Sequence, residues 1–231
     1  MGTRTTKKTY LQVIAEDVSD LFSQLGFTHK GPASFWRELD EVEQGFFLTP
    51  NPSYTHFDVD VGVNIPSLDE RLDYICFGGD HYPTLLLSRP LGLLRRDIQG
   101  ERTFYHFATV EQMRGKLPKV YADFVEQAEP WLAGLTTVEA VAKEFHKWRI
   151  APPPTGVTRA PDPFAWAIYG WLLQEAGRDA EAIPWFKQSL VEVRRPRFGK
   201  AGQQVPEGTK GARLIPRNEA ETRLRELLDK Q

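Results

Sequence analysis

Three polar residues alternate along one apolar stretch and are the first candidates for chemistry. The segment from His56 to Ile65 places His56, Asp58 and Asp60 at every second position. On a strand such residues share one face and lie about 6.5–7 Å apart. Imidazole and carboxylate groups are ligands for divalent metals, so one hypothesis is a metal-dependent hydrolase. The same pattern is typical of a strand with one solvated face, and we favour that interpretation because these three side chains converge only with help from a neighbouring strand.

Few other residues suggest catalysis. His81, in the irregular stretch after Gly78-Gly79, could act as a general base, but the sequence offers it no partner at a motif-like spacing. Cys76 lies between two apolar residues, which favours a buried, inert thiol. The chain contains no P-loop, no Gly-x-Gly-x-x-Gly, no Gly-x-Ser-x-Gly, no His-Glu-x-x-His and no Cys-x-x-Cys pair. These absences argue against an enzyme without excluding one, and we expect no cofactor.

Acidic residues cluster around one predicted turn, and their charge indicates a basic partner. Residues 1–150 contain 16 Lys and Arg against 21 Asp and Glu, a formal charge of −5. Complementary charge accelerates association between proteins. We expect the partner, another protein, to contact the turn and the polar face of the His56 strand, through Glu38, Asp40, Glu41, Glu43, His56, Asp58 and Asp60.

A basic segment near the end of the chain gives a second alternative. Arg194 to Arg213 contains six Lys and Arg against the single acid Glu207, together with several glycines. Such a loop could bind phosphate, as in a nucleic-acid-associated adaptor. A solvated insertion is the plainer interpretation, and a formal charge of −2 for the whole chain does not favour a nucleic-acid partner.

Periodicity predicts the elements that position these residues. Apolar residues at helical spacing predict a helix from Thr9 to Leu25, which Gly26 would end. Strands follow at Ser34–Leu39, Val42–Leu48 and His56–Ile65, with a tight turn at Asp40-Glu41. Three strands with short connections suggest an antiparallel meander packed by the helix. Further elements are predicted at Thr103–Ala108 (strand), Thr109 to about Trp131 (helix) and Ala140–Trp148 (helix).

A proline cluster divides the chain. Pro152-Pro153-Pro154 cannot continue a helix and favours a stiff connector. We therefore predict an α+β domain over residues 1–150, a linker over 151–162 and a tail over 163–231. The tail would contain a helical hairpin, the basic loop and a last helix over Asn218–Lys230.

The hairpin of the tail resembles a known repeat. The stretch from Gly177 to Leu190, with Ala182, Trp185 and Phe186, resembles the second half of a tetratricopeptide repeat. The likeness covers about one repeat of 34 residues. It implies a helical groove for a partner, while an ordinary helical hairpin would show the same pattern.

The first 65 residues resemble a family of uncharacterised bacterial α+β domains. The likeness rests on Leu25-Gly26-Phe27, Lys30-Gly31, Phe35-Trp36-Arg37 and the strand Phe57–Val63. Members of this family are linked to immunity against polymorphic toxins. The resemblance implies a non-catalytic protein that neutralises a toxin, and it names no catalytic residue.

Composition is consistent with such a protein. Of the 231 residues, 41% are hydrophobic and 26% are charged, which allows a packed core. One cysteine excludes an internal disulfide and favours the cytoplasm, and no apolar run approaches the roughly 20 residues of a membrane span. The expected fold is α+β, an antiparallel sheet packed by helices with a small helical, tetratricopeptide-like tail.

Overall fold

The computed structural model describes residues 6–72, 85–91, 94, 104–151, 164–194, 222 and 225–226. The chain forms two compact units, residues 1–65 with 84–137 and residues 66–83 with 138–231. The first unit holds the β-sheet, and the described elements of the second unit are helices. Among the described helices, none is both long and apolar enough to span a membrane.

The described strands of the first unit form one antiparallel sheet. Its order is β1-β2-β3-β4-β5, and β6 also pairs with β4. The predicted α+β fold with an antiparallel meander is therefore confirmed. The strands are β1 (Thr28–His29), β2 (Ser34–Glu38), β3 (Glu43–Pro50), β4 (His56–Asn64), β5 (Leu87–Pro90) and β6 (Tyr105–His106).

One helical run precedes the sheet. It consists of α1 (Lys7–Val13), a π-helical turn (Ile14–Val18) and α2 (Ser19–Ser23), so the predicted helix is present with a local widening. Gly26 ends it as predicted, with a φ of 80°. The Gly26 amide donates to the Ser23 carbonyl and the Phe27 amide to the Phe22 carbonyl, which is a Schellman motif.

The helix α4 (Val110–Leu132) covers the same sheet face as α1 and α2. Thr109 caps it as predicted, since its side chain accepts a hydrogen bond from the Gln112 amide. Its buried residues recur every three or four positions, which directs one stripe to the sheet. The core between them is aromatic, and the rings that meet there are Phe22, Phe27, Phe35, Phe46 and Phe124.

The alternation predicted that the other face of the central strands is solvated, but part of that face is buried. Asp58 is 6% exposed, and Asn64, which lies further along the same face of β4, is 2% exposed. Ser34 and Trp36, on the same face of β2, are also buried. The prediction of a wet face was wrong there because alternation separates polar from apolar residues but does not distinguish a solvated polar group from a buried, bonded one.

The second unit packs several helices together. They are α3 (Asp69–Leu72), preceded by a 3₁₀ turn (Pro66–Leu68), α5 (Val138–Phe145) with a π-helical turn (His146–Ile150), α6 (Ala165–Glu175) and α7 (Asp179–Arg194). Gly177, at φ 73°, turns the chain between α6 and α7. A β-carbon built at Gly170 would lie 2.5 Å from Phe186, so α6 and α7 pack closely. This pair matches the predicted helical hairpin, while its likeness to a tetratricopeptide repeat stays a prediction.

Parts of the predicted organisation lie outside the described residues. These are the linker 152–162, most of the basic segment and most of the last predicted helix. The division into 1–150, 151–162 and 163–231 stays a prediction. The compact units group α5 with α6 and α7, an association that periodicity along the chain does not indicate.

A pair of glycines tests how closely β4 and β5 approach. A β-carbon at Gly62 would lie 2.1 Å from the Leu87 carbonyl oxygen, whereas one at Gly115, on the exposed side of α4, meets nothing within 4 Å. We expect Gly62→Ala to lower the free energy of unfolding by about 3 kcal/mol. Gly115→Ala should raise it by about 1 kcal/mol through helix propensity. Urea denaturation measures both, and a Gly62→Ala protein as stable as the parent would show that β5 does not pair with β4 as described.

Candidate functional site

The turn between β2 and β3 presents four carboxylates at the end of the sheet. We call residues 38–43 the acidic hairpin. Glu38 pairs with Glu43 across the strands, and the Leu39 amide donates to the Val42 carbonyl at 2.9 Å to close the turn. Asp40 and Glu41 are exposed at its tip, the Glu38 side chain is 68% exposed, and Leu39 is 37% exposed. The structure thus brings the four predicted acidic residues together around one exposed leucine.

Lys30 moderates this charge without cancelling it. Its ammonium group bonds the carboxylate of Glu38 and lies 3.5 Å from that of Glu43. The hydrogen bond lowers the pKa of Glu38 and raises the pKa of Lys30. Both groups are therefore charged at neutral pH. Lys30 and the four carboxylates together carry a formal charge of −3.

The next pair of residues along the hairpin forms a polar network. Arg37 and Gln44 are cross-strand partners, and Arg37 Nε donates to Gln44 Oε1 at 2.8 Å. The Arg37 guanidinium also donates to both carboxylate oxygens of Glu129, at 3.0–3.1 Å, and to the Leu25 carbonyl at 3.2 Å. Its Cζ atom lies over the Phe27 ring, 4.7 Å from the ring centre. One side chain therefore joins β2, β3, α4 and the end of α2.

Gln44 completes the network at the end of α4. Its buried amide nitrogen donates to the carbonyls of Leu132 at 2.7 Å and Leu135 at 3.1 Å. The Leu132 carbonyl at the end of α4 also accepts a hydrogen bond from the Leu135 amide at 2.8 Å, so Gln44 adds a second bond to that carbonyl and one to the turn after the helix. The Arg37–Gln44–Glu129 network therefore fixes the base of the acidic hairpin to the helical layer.

The three predicted residues of β4 lie elsewhere. Glu43 pairs with Asn64, whereas Asp58 pairs with Thr49. His56 is eight residues from Asn64, or about 26 Å along a strand. The acidic hairpin and the His56 end of β4 are therefore separate surfaces of the first unit. Asp58 is buried, while His56 and Asp60 are half-buried.

His106, which belongs to a strand predicted from the sequence, lies directly opposite His56. The register of β4 and β6 pairs His56 with His106, and their ring centres are 5.1 Å apart. Phe104 packs against His56 at 5.1 Å and is 44% exposed. A strand was predicted around His106, but nothing in the spacing indicated which strand it would pair with.

No described group of three or more His, Cys, Asp or Glu residues has an arrangement that could hold a metal ion. The set His56, Asp58 and Asp60 is among the residues searched. Neighbouring members of this set lie about 6.5–7 Å apart along the strand, so the three side chains do not converge on one point. The predicted three-residue metal set thus gains no geometric support.

The second unit carries an aromatic cluster that includes part of the repeat-like hairpin. The Trp166 and Trp185 rings stack at 5.5 Å with an angle of 10°. Tyr169 meets Trp185 edge-on at 5.0 Å, and His146 contacts both Tyr169 and Trp185. Desolvation by burial raises the pKa of Tyr169. These rings tie the π-helical turn after α5 to α6 and α7.

Other residues singled out in the sequence cannot be placed. His81 and Cys76 lie outside the described residues, as does the basic segment apart from the backbone of Arg194, which ends α7.

Comparison with known proteins gives no relative: no family model, no curated protein and no solved structure matches this chain.

The Arg37–Gln44–Glu129 network can be tested by its contribution to stability. Arg37→Met keeps the length of the side chain but leaves Glu129 and the Leu25 carbonyl without their donor. We expect the free energy of unfolding to fall by about 2–3 kcal/mol, because the Glu129 carboxylate would stay largely buried without the cation that compensates its desolvation. Arg37→Lys should recover only part of this loss, since an ammonium cannot bond Gln44 and both Glu129 oxygens in one plane.

Arg114→Met is the matched control. Arg114 pairs with Asp17 at 2.8 Å on the surface, and exposed pairs contribute little to stability. Urea denaturation should therefore find its midpoint unchanged. Equal effects of Arg37→Met and Arg114→Met would contradict the structural role of the network.

Proposed function

We propose that this chain is a non-catalytic protein-binding protein whose acidic hairpin contacts a basic surface of its partner. The observation that carries the proposal is the acidic hairpin, whose tip residues Asp40 and Glu41 are exposed and whose base is held by the Arg37–Gln44–Glu129 network. A tip held in one conformation loses little conformational entropy on binding, which increases affinity. Its charge accelerates the encounter with a cationic surface.

The composition of the hairpin suits a protein ligand. Leu39 stands exposed among the charges, so the tip combines an apolar centre with a polar rim, as protein interfaces do. A nucleic acid is disfavoured there because its phosphates carry the same sign of charge as the carboxylates. Asp58 is too buried to contact a partner, and His56 and Asp60 lie on a different part of the unit. We therefore restrict the proposed contact surface to the acidic hairpin.

The resemblance of the first 65 residues to toxin-immunity domains suggests one class of partner. We propose a cytoplasmic toxin whose active site is basic, as in an enzyme that cleaves nucleic acid. The acidic hairpin would cover that site and exclude the anionic substrate. This mode of inhibition needs no catalytic residue in the immunity protein.

Charge reversal at the tip tests the proposal. The tagged protein, its Asp40→Lys/Glu41→Lys variant and a Glu16→Lys/Asp20→Lys control are used as bait in lysate of the source cell, and the captured proteins are quantified by mass spectrometry. Glu16 and Asp20 are exposed residues of the first helical run, so the control makes the same change in net charge at another site. We expect one stoichiometric basic partner with the parent and the control, and at least a tenfold loss with the hairpin variant.

Association and dissociation rates measured with the purified partner then separate long-range electrostatic attraction from direct contacts in the complex. The hairpin variant should associate about tenfold or more slowly, and the difference should shrink at high salt as the charges are screened. A partner captured equally by all three baits would rule out the hairpin as its binding surface.

A further inference from the structure

The His56 end of the sheet has a feature that protein binding by the acidic hairpin does not use. His56 begins β4, His106 ends β6, and the register places them directly opposite each other. His56 is half-buried and His106 is exposed. The pair lies at the far end of β4 from the acidic hairpin, so any role for it is independent of the proposed function.

The hydrogen-bond pattern brings these two side chains close. The Phe107 amide donates to the Thr55 carbonyl at 2.8 Å, which makes Thr55 and Phe107 a hydrogen-bonded pair. Hydrogen-bonded and non-hydrogen-bonded pairs alternate along an antiparallel ladder, so His56 and His106 form a non-hydrogen-bonded pair. In such pairs the Cα atoms are about 4.5 Å apart and the side chains lie nearer to each other.

The imidazole rings are at a separation that one metal ion can bridge. Their centres are 5.1 Å apart and their planes make an angle of 53°. A first-row metal binds each imidazole nitrogen at about 2.0–2.1 Å, so two nitrogens sharing one ion are at most about 4.2 Å apart. Ring centres 5.1 Å apart leave room for such an ion between nitrogens that face each other.

The backbone on both sides of the pair is well anchored. Asn51 Oδ1 accepts hydrogen bonds from the amides of Thr55 at 2.7 Å and His56 at 3.2 Å. On β6, the Tyr105 hydroxyl donates to Asp123 of α4 at 2.8 Å, which holds the strand next to His106. Both strands are therefore positioned before any ion arrives, and that lowers the entropic cost of forming a chelate.

Phe104 closes one side of the pair. Its ring lies 5.1 Å from the His56 ring, edge-on, and 6.4 Å from the His106 ring. This apolar contact restricts the orientations that the His56 ring can take.

From this geometry we infer that His56 and His106 bind one divalent transition-metal ion, of the class that prefers imidazole. Zn²⁺, Ni²⁺ and Cu²⁺ belong to that class, with Cu²⁺ the tightest, whereas Mg²⁺ and Ca²⁺ prefer oxygen ligands. Water completes the coordination, since the described residues offer no group of three ligands. The bound ion joins β6 to β4 and so stabilises the folded first unit, because it binds the folded state preferentially.

Titration of the untagged, full-length protein tests this assignment. Isothermal titration calorimetry with Ni²⁺ and with Zn²⁺ should show a site of one ion per chain, and Mg²⁺ should not bind to it. His106→Phe and His56→Phe each keep an aromatic ring in the strand pair but remove the nitrogen, and each should weaken binding at least tenfold. The double variant should be no weaker than either single variant, because one ligand alone does not chelate.

Two matched controls and a second readout complete the experiment. His29→Phe and His146→Phe change histidines elsewhere in the chain and should leave the affinity unchanged. Ni²⁺ should raise the melting temperature of the parent protein and of both controls, but not that of the His56 and His106 variants, whose folding in EDTA is checked by circular dichroism. Retained affinity in His106→Phe, or independent losses that add in the double variant, would overturn the inference.

Discussion

The guanidinium of Arg37 links the sheet of the first unit to its helical layer. It bonds Gln44 on β3, Glu129 on α4 and the carbonyl of Leu25 after α2. A planar group with five donors in a fixed geometry can bond a carboxylate through both oxygens and reach two further acceptors at the same time. These bonds connect α4 and the strands at the base of the acidic hairpin, in addition to the aromatic core that packs α4 on the sheet.

The network also explains why strong charge can be concentrated at the hairpin. The four carboxylates between Glu38 and Glu43 repel one another, and Lys30 relieves only part of that repulsion. A two-residue turn without support would relax by fraying. Here Arg37 and Gln44, the next pair along the hairpin, bond Glu129 and the carbonyls of Leu132 and Leu135. The carboxylates therefore stay close together despite their repulsion, and their combined charge can attract a cationic partner.

The sequence predicted elements better than it predicted surfaces. The Schellman cap at Gly26, the Thr109 cap and the three-strand meander follow from local signals, because capping and period-two patterns act over a few residues. The polar face of β4 was predicted to be wet, and Asp58 and Asn64 are buried. Burial depends on what packs against a face, and that is set by residues far away in the chain.

What the sequence by itself determined is the class of fold and the acidic turn, since alternation, capping and the tight turn are local properties of the chain. Only the tertiary structure decided which residues became neighbours. The links from Arg37 to Glu129 and from Gln44 to Leu132 each span about ninety residues, and the pairing of His56 with His106 spans fifty. Strand register and helix docking create such contacts, and the spacing of residues along the sequence does not predict them.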